Sequence, residues 1–472
     1  MPKTKRARSH TPHRSVEMGV GVRKAHHSSE ICSKSELALW SPPPTQLSIL
    51  ESQWISYPPF SSLRDEGMLE FKITGSESEF VDLAQTFIHV TCSIVKPDGS
   101  DLGEAAKVGP INNVLHSLFQ NVEVLFNETL VSGHGDNYAL KSYLANLLTY
   151  GREAKETQLT TVGWEKDEAK GISADSPYAA EAVGVAADAA GDNVGLLKRA
   201  KLFDASRIVP LIGKLNIPLA NQPLFLLNNV NILLRLHRTK HSFALMTSTD
   251  NKHKLKIKSA ALFVRKVKLA PAEQLRIESK LLTQPALYPL TTTELKLYSY
   301  PAGVSSIENN TLFSSYLPEK IVLGFAKTDA IHGDYHENPY NFLHLHLNHL
   351  VLLIDGKMHP ATPYTPEYSD ERGSQCVREY LSLFTGTGQH GLDSGNDISL
   401  ADYQSGYTLY CFDLTTDLAE GTHWNAIKSG NIRLECRFSR AFPFPITMFC
   451  YSEFNKILEI NREREPSYTV PS

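Results

Sequence analysis

Two closely spaced histidines are the residues of this sequence best suited to chemistry. If His344 and His346 lie on a strand they share one face, and imidazole is the commonest metal ligand in proteins. Further histidines occur nearby: His332, His336 and His349. The opposite face would be apolar: Leu343, Leu345 and Leu347. Because no cysteine or acid recurs at ligand spacing, the sequence favours an ordinary strand with outward histidines, and a metal site at His344 and His346 is the weaker alternative.

A glycine-rich segment and three acids are the remaining candidates. Residues 386–391 match the GxGxxG pattern, but a dinucleotide loop needs a strand before it and a helix opening on it. The residues that follow, 392–397, are typical of a loop. Asp413, Asp417 and Glu420 are best explained as turn and loop acids. The sequence contains no P-loop, HExxH or GxSxG motif, so it predicts no catalytic residue and no cofactor.

The elements around these residues occur twice, in the same order in both halves of the chain. Three pairs of segments correspond at offsets of roughly 190 to 240 residues: 70–73 with 294–297, 121–127 with 349–355, and 231–236 with 431–436. This spacing is far longer than a solenoid or propeller repeat. It predicts two copies of one domain with separate cores, a plan that favours assembly over catalysis.

Composition predicts a globular chain of two or three domains. The 472 residues are 42% hydrophobic and 21% charged, and the net charge of −4 argues against a folded body that binds nucleic acid generally. The six cysteines form no CxxC pair, so we expect reduced thiols and a cytosolic or nuclear assembly compartment. The sequence has no apolar signal-peptide core and no 18-residue apolar run, so we expect neither secretion nor a membrane span.

Residues 1–40 differ from the rest of the chain and predict a disordered basic arm. Large apolar residues are nearly absent, so the segment cannot bury enough surface to order itself. Its basic residues are Lys3, Lys5, Arg6, Arg8, Arg14, Arg23 and Lys24. They suit a nuclear-import signal or an arm that contacts nucleic acid or neighbouring chains, and a solvated tail without a partner explains them equally well.

The body of the chain predicts an all-β fold with few helices. Residues 85–94 alternate as in a half-buried strand, and Asp355-Gly356 between apolar runs predicts a hairpin. Helical spacing appears at 138–150 and in the charged piece 272–282. Strands predicted late in each half close the copies: 230–238, 255–268, 431–439 and 446–460. Many strands with long excursions favour two antiparallel sandwiches, with the jelly roll as the best-fitting type.

These patterns also set the expected domain boundaries. The first jelly roll spans 41–270 with an insertion at about 151–200, and the second spans 286–465. A linker at 271–285 joins them, and a tail at 466–472 follows. Long loops are expected at 151–200 and 360–405.

From about Ser41 to Ile460 the sequence resembles a known family. The matching stretches are PPTQ (43–46) with Trp54, VGPINNVLHSLF (108–119), ALFVRKV (261–267), FTGTG (384–388), GYTL (406–409) with FDLT (412–415), and YSEF (451–454). They resemble the double jelly-roll major capsid proteins, or hexons, of Polinton/Maverick elements and adintovirus-like animal viruses. The resemblance implies two consecutive eight-stranded antiparallel jelly rolls. It also implies a homotrimeric, pseudo-hexagonal capsomer of an icosahedral shell, with no enzymatic activity.

The same resemblance implies the partners of the chain. They would be other copies of itself, penton and other minor capsid proteins, and genomic DNA touched non-specifically by the basic arm. The chain would then lie in the virion capsid, assembled in the host nucleus or cytoplasm. The competing hypotheses are a jelly-roll protein that binds a ligand or carbohydrate through exposed loops, and a metal-dependent jelly-roll enzyme using His344 and His346.

Overall fold

The computed structural model describes most of the chain: residues 28, 34–37, 39–40, 42–63, 67–103, 107–133, 135, 137–168, 193–249, 251–369, 373–393, 395–418 and 423–469. It divides into two compact units, Met1–Leu47 and Ser48–Ser472. A single 3₁₀ turn, Ser35–Leu37, is the regular structure described within the first unit. The basic residues of the predicted arm, Lys3 to Lys24, lie outside the described residues, as do residues 169–192 of the predicted insertion.

The first half of the larger unit is a sandwich of two four-stranded antiparallel sheets. Its strands are β1 (Ile49–Tyr57), β2 (Leu69–Ile73), β3 (Glu79–Val95), β4 (Val108–Pro110), β5 (Phe119–Phe126), β6 (Thr129–Ser132), β7 (Val209–Lys214), β8 (Ile232–Arg238), β9 (Leu245–Thr247) and β10 (Lys254–Leu269). The sheets have the orders β1-β10-β3-β7 and β2-β8-β5-β6, and β4 pairs with β9 outside them. This order of eight strands is that of a jelly roll.

The second half repeats this topology. Its strands are β11 (Ala286–Tyr300), β12 (Ser306–Tyr316), β13 (Lys320–Lys327), β14 (Leu347–Ile354), β15 (Lys357–Tyr364), β16 (Leu409–Asp413), β17 (Ser429–Phe438), β18 (Ile446–Ile460) and β19 (Pro466–Thr469). The sheets have the orders β11-β18-β13-β16, with β19 added to β18, and β12-β17-β14-β15. The double jelly roll predicted from sequence is therefore confirmed.

Short helices occupy the connections between strands. They are α1 (Val114–Ser117), α2 (Tyr138–Thr149), α3 (Arg152–Glu156), α4 (Val194–Leu202), α5 (His241–Ala244), α6 (Pro271–Leu281), α7 (Thr328–His332), α8 (Val377–Thr385) and α9 (Leu400–Gln404). The helices α2 and α6 confirm the helical spacing predicted at 138–150 and 272–282. Pro271 opens α6 at its first turn, where the missing proline N–H removes no helical hydrogen bond.

Two of the three predicted repeat pairs fall on equivalent strands. Segment 121–127 lies on β5 and its turn and 349–355 on β14, while 231–236 and 431–436 lie on β8 and β17. The third pair is wrong, because Glu70 lies on β2 whereas Glu294 lies on β11, a strand equivalent to β1. An alternation of charged and apolar residues is common to all half-buried strands, so a match over four residues could not show that the two strands are equivalent.

Strand β13 corrects the expectation that the two cores are separate. Its residues Ile321, Leu323 and Phe325 point into the core of the second jelly roll. Val322 and Ala326, on the opposite face, belong to the core that begins in the first jelly roll. Because β13 is apolar on both faces, one core runs from the first sandwich across the contact between the two, and the second core lies inside the second sandwich.

Candidate functional site

Buried polar and aromatic side chains converge where the two jelly rolls meet. Four connections supply them: 96–118 and 133–208 in the first jelly roll, and 328–346 and 365–408 in the second. We call this region the junction and define it by the following side chains: Tyr143, Trp164, Asp167, Arg199, Asn338, Tyr340 and Tyr407. Each of these side chains is at most 2% exposed, so the junction lies in the interior of the protein.

A buried ion pair lies at the centre of the junction. The Arg199 guanidinium meets the Asp167 carboxylate at 2.6 Å, and both side chains are at most 1% exposed. Arg199 also donates to the backbone carbonyls of Pro110 (2.9 Å) and Glu165 (2.5 Å). A buried charge is tolerated when it is paired and hydrogen-bonded, and each of the three guanidinium nitrogens of Arg199 has a partner.

Asp167 connects the first jelly roll to the second. Its other carboxylate oxygen accepts from the Asn338 amide at 3.2 Å. The Tyr407 hydroxyl donates to the backbone carbonyl of Asp167 at 2.6 Å. One aspartate therefore joins three connections, and a change in its position would be felt in both jelly rolls.

Stacked aromatic rings cross the same boundary. Tyr143 on α2 stacks on Trp164 with centroids 5.2 Å apart, and on Tyr340 of the second jelly roll with centroids 3.8 Å apart. The Tyr340 hydroxyl shares a 2.7 Å hydrogen bond with the Ser117 hydroxyl. Phe342 continues the contact to Phe449 on β18, with centroids 4.9 Å apart. The rings add apolar burial and fixed orientation to the ion pair.

Two lysines of the first jelly roll hold the 395–402 loop of the second. The Lys155 ammonium donates to the carbonyls of Leu147 (2.8 Å) and Asn396 (2.6 Å). Burial lowers the pKa of Lys155 from its ordinary value to about 7. Lys166 donates to the Asp397 carbonyl (2.5 Å) and pairs with Asp402 at 2.9 Å. The first lysine is buried and the second half-buried, so both contacts are partly shielded from solvent screening.

The chain after β18 forms a second connection on another part of the first jelly roll. Arg464, 8% exposed, donates to the Asn228 carbonyl (2.9 Å) and amide oxygen (2.8 Å), and also to Glu278 (2.6 Å). Its own carbonyl accepts from Asn127 at 2.9 Å, and the Tyr468 hydroxyl donates to the Val131 carbonyl. The jelly rolls are thus held at two places, which opposes rotation about either one.

The structure places His344 and His346 in a turn, so the strand predicted there is wrong. Leu345 and His346 have φ angles of 50° and 53°, and strand β14 begins only at Leu347. His344 accepts from the His346 backbone N–H at 3.0 Å and stacks on Tyr368. Burial, reinforced by His346 and a nearby arginine, lowers the pKa of His344 to about 3. The His344 and His346 rings pack edge to face, with centroids 4.8 Å apart and an interplanar angle of 90°.

Among the described residues, no group of three histidines, cysteines or acids is arranged to hold a metal ion. Residues 386–391 form the loop after α8, as predicted. Asp413 accepts from Thr415 in a turn, and Asp417 pairs with His423 at 2.8 Å on the surface. Glu420 lies outside the described residues. Asp413 and Asp417 therefore have the local roles that the sequence favoured.

The five cysteines within the described part of the chain are buried and unbridged: Cys92, Cys376, Cys411, Cys436 and Cys450. Burial raises the pKa of each thiol, which leaves them poor nucleophiles. Across the residues that the structure describes, none of the helices combines the length and apolar character needed to cross a bilayer.

Sequence reasoning missed the junction altogether. Asp167 and Asn338 are separated by 171 positions, and neither lies in a motif. Arg199 lies at the edge of the predicted insertion, which the sequence favours as surface. A usable signal was the clustering of aromatic and amide residues in the connections, of which Asn112 and Asn113 are an example. Such a cluster is unusual for an exposed loop and therefore indicates a buried connection.

Comparison with known proteins adds one relative and several structures. No protein-family model matches the chain. An uncharacterized protein of Caenorhabditis elegans is 23% identical over 438 residues, covering 90% of this chain and 98% of the worm protein. The fold resembles a chain of the Sputnik virophage, with a TM-score of 0.61 and 11% identity, covering 96% of this chain and 94% of that one.

Two further structures have the same architecture. A chain of the PBCV-1 virus capsid gives a TM-score of 0.55 at 9% identity, with coverage of 92% and 100%. The Faustovirus major capsid protein gives 0.54 at 10% identity, with coverage of 90% and 93%. At these identities the likeness establishes a shared fold, the double jelly roll, over nearly the full length of each chain.

Proposed function

We propose that this chain is a major capsid protein that forms homotrimeric, pseudo-hexagonal capsomers of an icosahedral shell. The observation that carries the proposal is the duplicated jelly roll fixed as one body by the junction. The hydrogen bonds of Asp167 with Asn338 and Tyr407 and the Tyr143–Tyr340 stack are buried and cross between the sandwiches, so the angle between the two is set within the subunit. Nearly full-length likeness to a chain of the PBCV-1 capsid and to the Faustovirus major capsid protein supports the same role, and a chain of the Sputnik virophage shares the fold.

A fixed pair of like domains suits a closed shell for a physical reason. A ring of identical subunits closes only if each subunit presents two different, complementary surfaces at a constant angle. Two jelly rolls per chain give six in a trimer, so the trimer presents near-sixfold edges to its neighbours. A flexible linker would let this angle vary, whereas the junction and the Arg464 contacts hold it constant.

The finer identity rests on the sequence resemblance. We propose that the chain belongs with the capsid proteins of Polinton/Maverick elements and adintovirus-like viruses, and that it has no enzymatic activity. Its partners are other copies of itself, penton and other minor capsid proteins, and its place is the virion capsid after assembly in the host nucleus or cytoplasm. The jelly-roll metalloenzyme has less support, because His344 is packed against Tyr368.

The basic arm is proposed to contact the packaged genome. Seven basic residues lie between Lys3 and Lys24, and the net charge of the whole chain is −4, so the positive charge of this segment stands out. Contacts with phosphate would be independent of base sequence and sensitive to salt.

Mass and shape of the purified protein test the proposal. Light scattering after size exclusion should give three times the chain mass of 52.5 kDa, and negative-stain electron microscopy should show pseudo-hexagonal particles. A stable monomer at micromolar concentration would contradict the capsomer. A monomer that also bound glycans on an array would instead support the carbohydrate-binding alternative.

A further inference from the structure

The chain from the end of β8 to the first part of β10 has an unusual concentration of positive charge. Residues 235–258 contain seven lysines and arginines and one acid, in a chain whose net charge is −4. The equivalent residues of the second jelly roll, 435–452, contain two arginines and one acid. Because the two copies share a topology, the jelly-roll fold does not require this charge, and it is particular to the first copy.

Three of these lysines form a row on the outer face of β10. Leu255 and Ile257 are 1% and 6% exposed and point into the core, so Lys254 and Lys256 lie on the opposite face of the strand. Lys258 follows at an irregularity in the register with β3 and is exposed. Alternate residues of a strand are about 7 Å apart, so the three charges act on the same partner.

The neighbouring strands add basic residues to this row. Lys254 pairs with the last residue of β3, and Lys96 follows that residue. The Ser206 hydroxyl donates to the Ile94 carbonyl at 2.6 Å, which places Arg207 beside the other edge of β3. We define the basic end of the first jelly roll by six side chains: Lys96, Arg207, Lys252, Lys254, Lys256 and Lys258.

The positive charges of the basic end are available to an outside partner. Within the described part of the chain, no carboxylate forms an ion pair with any of the six side chains. The neighbouring carboxylate of Asp98 accepts from the backbone and the hydroxyl of Ser100 instead. A surface that only has to stay soluble intersperses charges of both signs, whereas this one is dominated by one sign.

The basic end lies at the opposite end of the first jelly roll from the N-terminal arm. Ile49, the first residue of β1, pairs with Leu269, the last residue of β10. Strand β10 has 16 residues and is therefore about 50 Å long. The arm thus joins the body about 50 Å from Lys254. If the arm contacts the packaged genome, as proposed above, the basic end faces away from the genome and out of the shell.

We infer that the basic end is a binding surface for a sulfated polysaccharide, presented on the outside of the shell. The inference goes beyond the proposed capsomer, and only its outward direction rests on that proposal. A single glycan chain can follow the row of lysines, whereas a DNA duplex is a stiff cylinder that touches a flat sheet along one line. Single-stranded nucleic acid binds through exposed aromatic rings, and residues 93–101 and 251–259 contain no Phe, Tyr or Trp.

Heparin binding by the full chain tests the inference. A triple variant combines Lys254→Thr, Lys256→Thr and Lys258→Thr, in which the β-branched threonine suits a strand. Its affinity for heparin at physiological salt should fall at least about tenfold, because each exposed ionic contact contributes a factor of about two to five. The arm is unchanged in this variant, so its own attraction for heparin does not affect the comparison.

A matched control removes the same charge elsewhere. It replaces three exposed strand lysines outside the basic end by threonine: Lys72, Lys268 and Lys357. Its affinity for heparin should stay within about twofold of the wild type, since these lysines touch no part of the proposed surface. If both triple variants lose affinity to the same extent, net charge alone explains the binding and the inference is overturned.

Two further probes identify the partner. Fully desulfated heparin, which keeps its carboxylates, should not distinguish the wild type from the Lys254, Lys256 and Lys258 variant, and neither should a short DNA duplex. A loss of duplex binding as large as the loss of heparin binding would indicate a nucleic-acid surface and overturn the inference. Light scattering separates this test from the proposed function. A trimeric wild type whose two triple variants bind heparin alike refutes the inference alone, and a monomeric wild type with the expected difference refutes the capsomer alone.

Discussion

Removing the carboxylate of Asp167 should loosen the attachment between the jelly rolls more than any loss of a surface ion pair. Asp167→Ala leaves the Arg199 guanidinium buried without a counter-charge, since both side chains are at most 1% exposed. Breaking a buried pair from one side costs about 3–5 kcal/mol. At about 2.1 cal/mol/K per residue, the entropy of unfolding of the Ser48–Ser472 unit is roughly 0.9 kcal/mol/K. The melting temperature should therefore fall by about 3–6 °C.

Local measurements connect this loss to the junction. Hydrogen exchange of residues 335–342 should accelerate, because Asn338 loses its acceptor there. Glu156→Ala is the control, since its pair with Arg152 is 2.7 Å long but 75% and 60% exposed and contributes at most about 0.5 kcal/mol. Combining Asp167→Leu with Arg199→Met should recover at least half the loss, because neither charge then remains. The reasoning fails if Asp167→Ala costs no more than Glu156→Ala, or if the double variant is as unstable as the single one.

Four further predictions follow from other contacts. The pKa of Lys155 is about 7 in the folded chain and near 10.5 in the unfolded chain. Between these two values the unfolded chain binds the proton more tightly, so the contribution of Lys155 to stability is complete above pH 10.5 and lost as the pH falls through 7. As the pH is raised from 7 to 9, the free energy of unfolding of Lys155→Met, measured by urea titration, should therefore fall relative to that of the wild type by up to about 1.4 kcal/mol per pH unit. A difference that does not change with pH would contradict this. Gly324→Ala would place a methyl group 2.3 Å from the Phe449 ring and should cost about 1–3 kcal/mol by thermal unfolding. Arg464→Met should speed proteolysis after β18 without altering the spectrum of the core, and unchanged cleavage would argue against that connection. Deleting residues 1–40 should abolish salt-sensitive DNA binding. In the full chain, the logarithm of the binding constant should fall with the logarithm of the salt concentration with a slope no steeper than about −6, the value for seven phosphate contacts.

Sequence patterns predicted the parts of the fold that depend on near neighbours. The Asp355-Gly356 turn needs positive φ, and the structure gives 49° and 81° there, between β14 and β15. The strand at 85–94 lies within β3, with its alternation matched by buried and half-buried positions. These features follow from local φ/ψ preference and from burial on one face, both of which a short window of sequence records.

Contacts between distant residues could not be predicted in this way. Alternation tells which side of a strand is buried, but it does not tell what covers it. The stack of Tyr143 on Tyr340 depends on where two connections end after two complete sandwiches have formed. His344 shows the same limit on a smaller scale, because leucines and histidines alternate at 343–347 as in a strand although the backbone turns there. His344 stacks on Tyr368, a residue outside any short window around 343–347.

Equivalent strands of the two copies record which sheet is covered within the chain. In β13 the residues 321–326 are all buried and form a continuous apolar run, as expected for a strand covered on both faces. Its equivalent β3 alternates at 87–92, where Ile88, Val90 and Cys92 are buried and the residues between them are half-buried. On that second face β3 has Phe87, and β10 has Phe263 followed by Arg265, whose guanidinium lies over the Trp54 ring. The half-buried face of β3 and β10 is therefore mixed in composition, with aromatic side chains beside a charged one. The two copies therefore differ in the burial of this strand, since β13 is covered on both faces within the chain whereas β3 keeps one face half-buried.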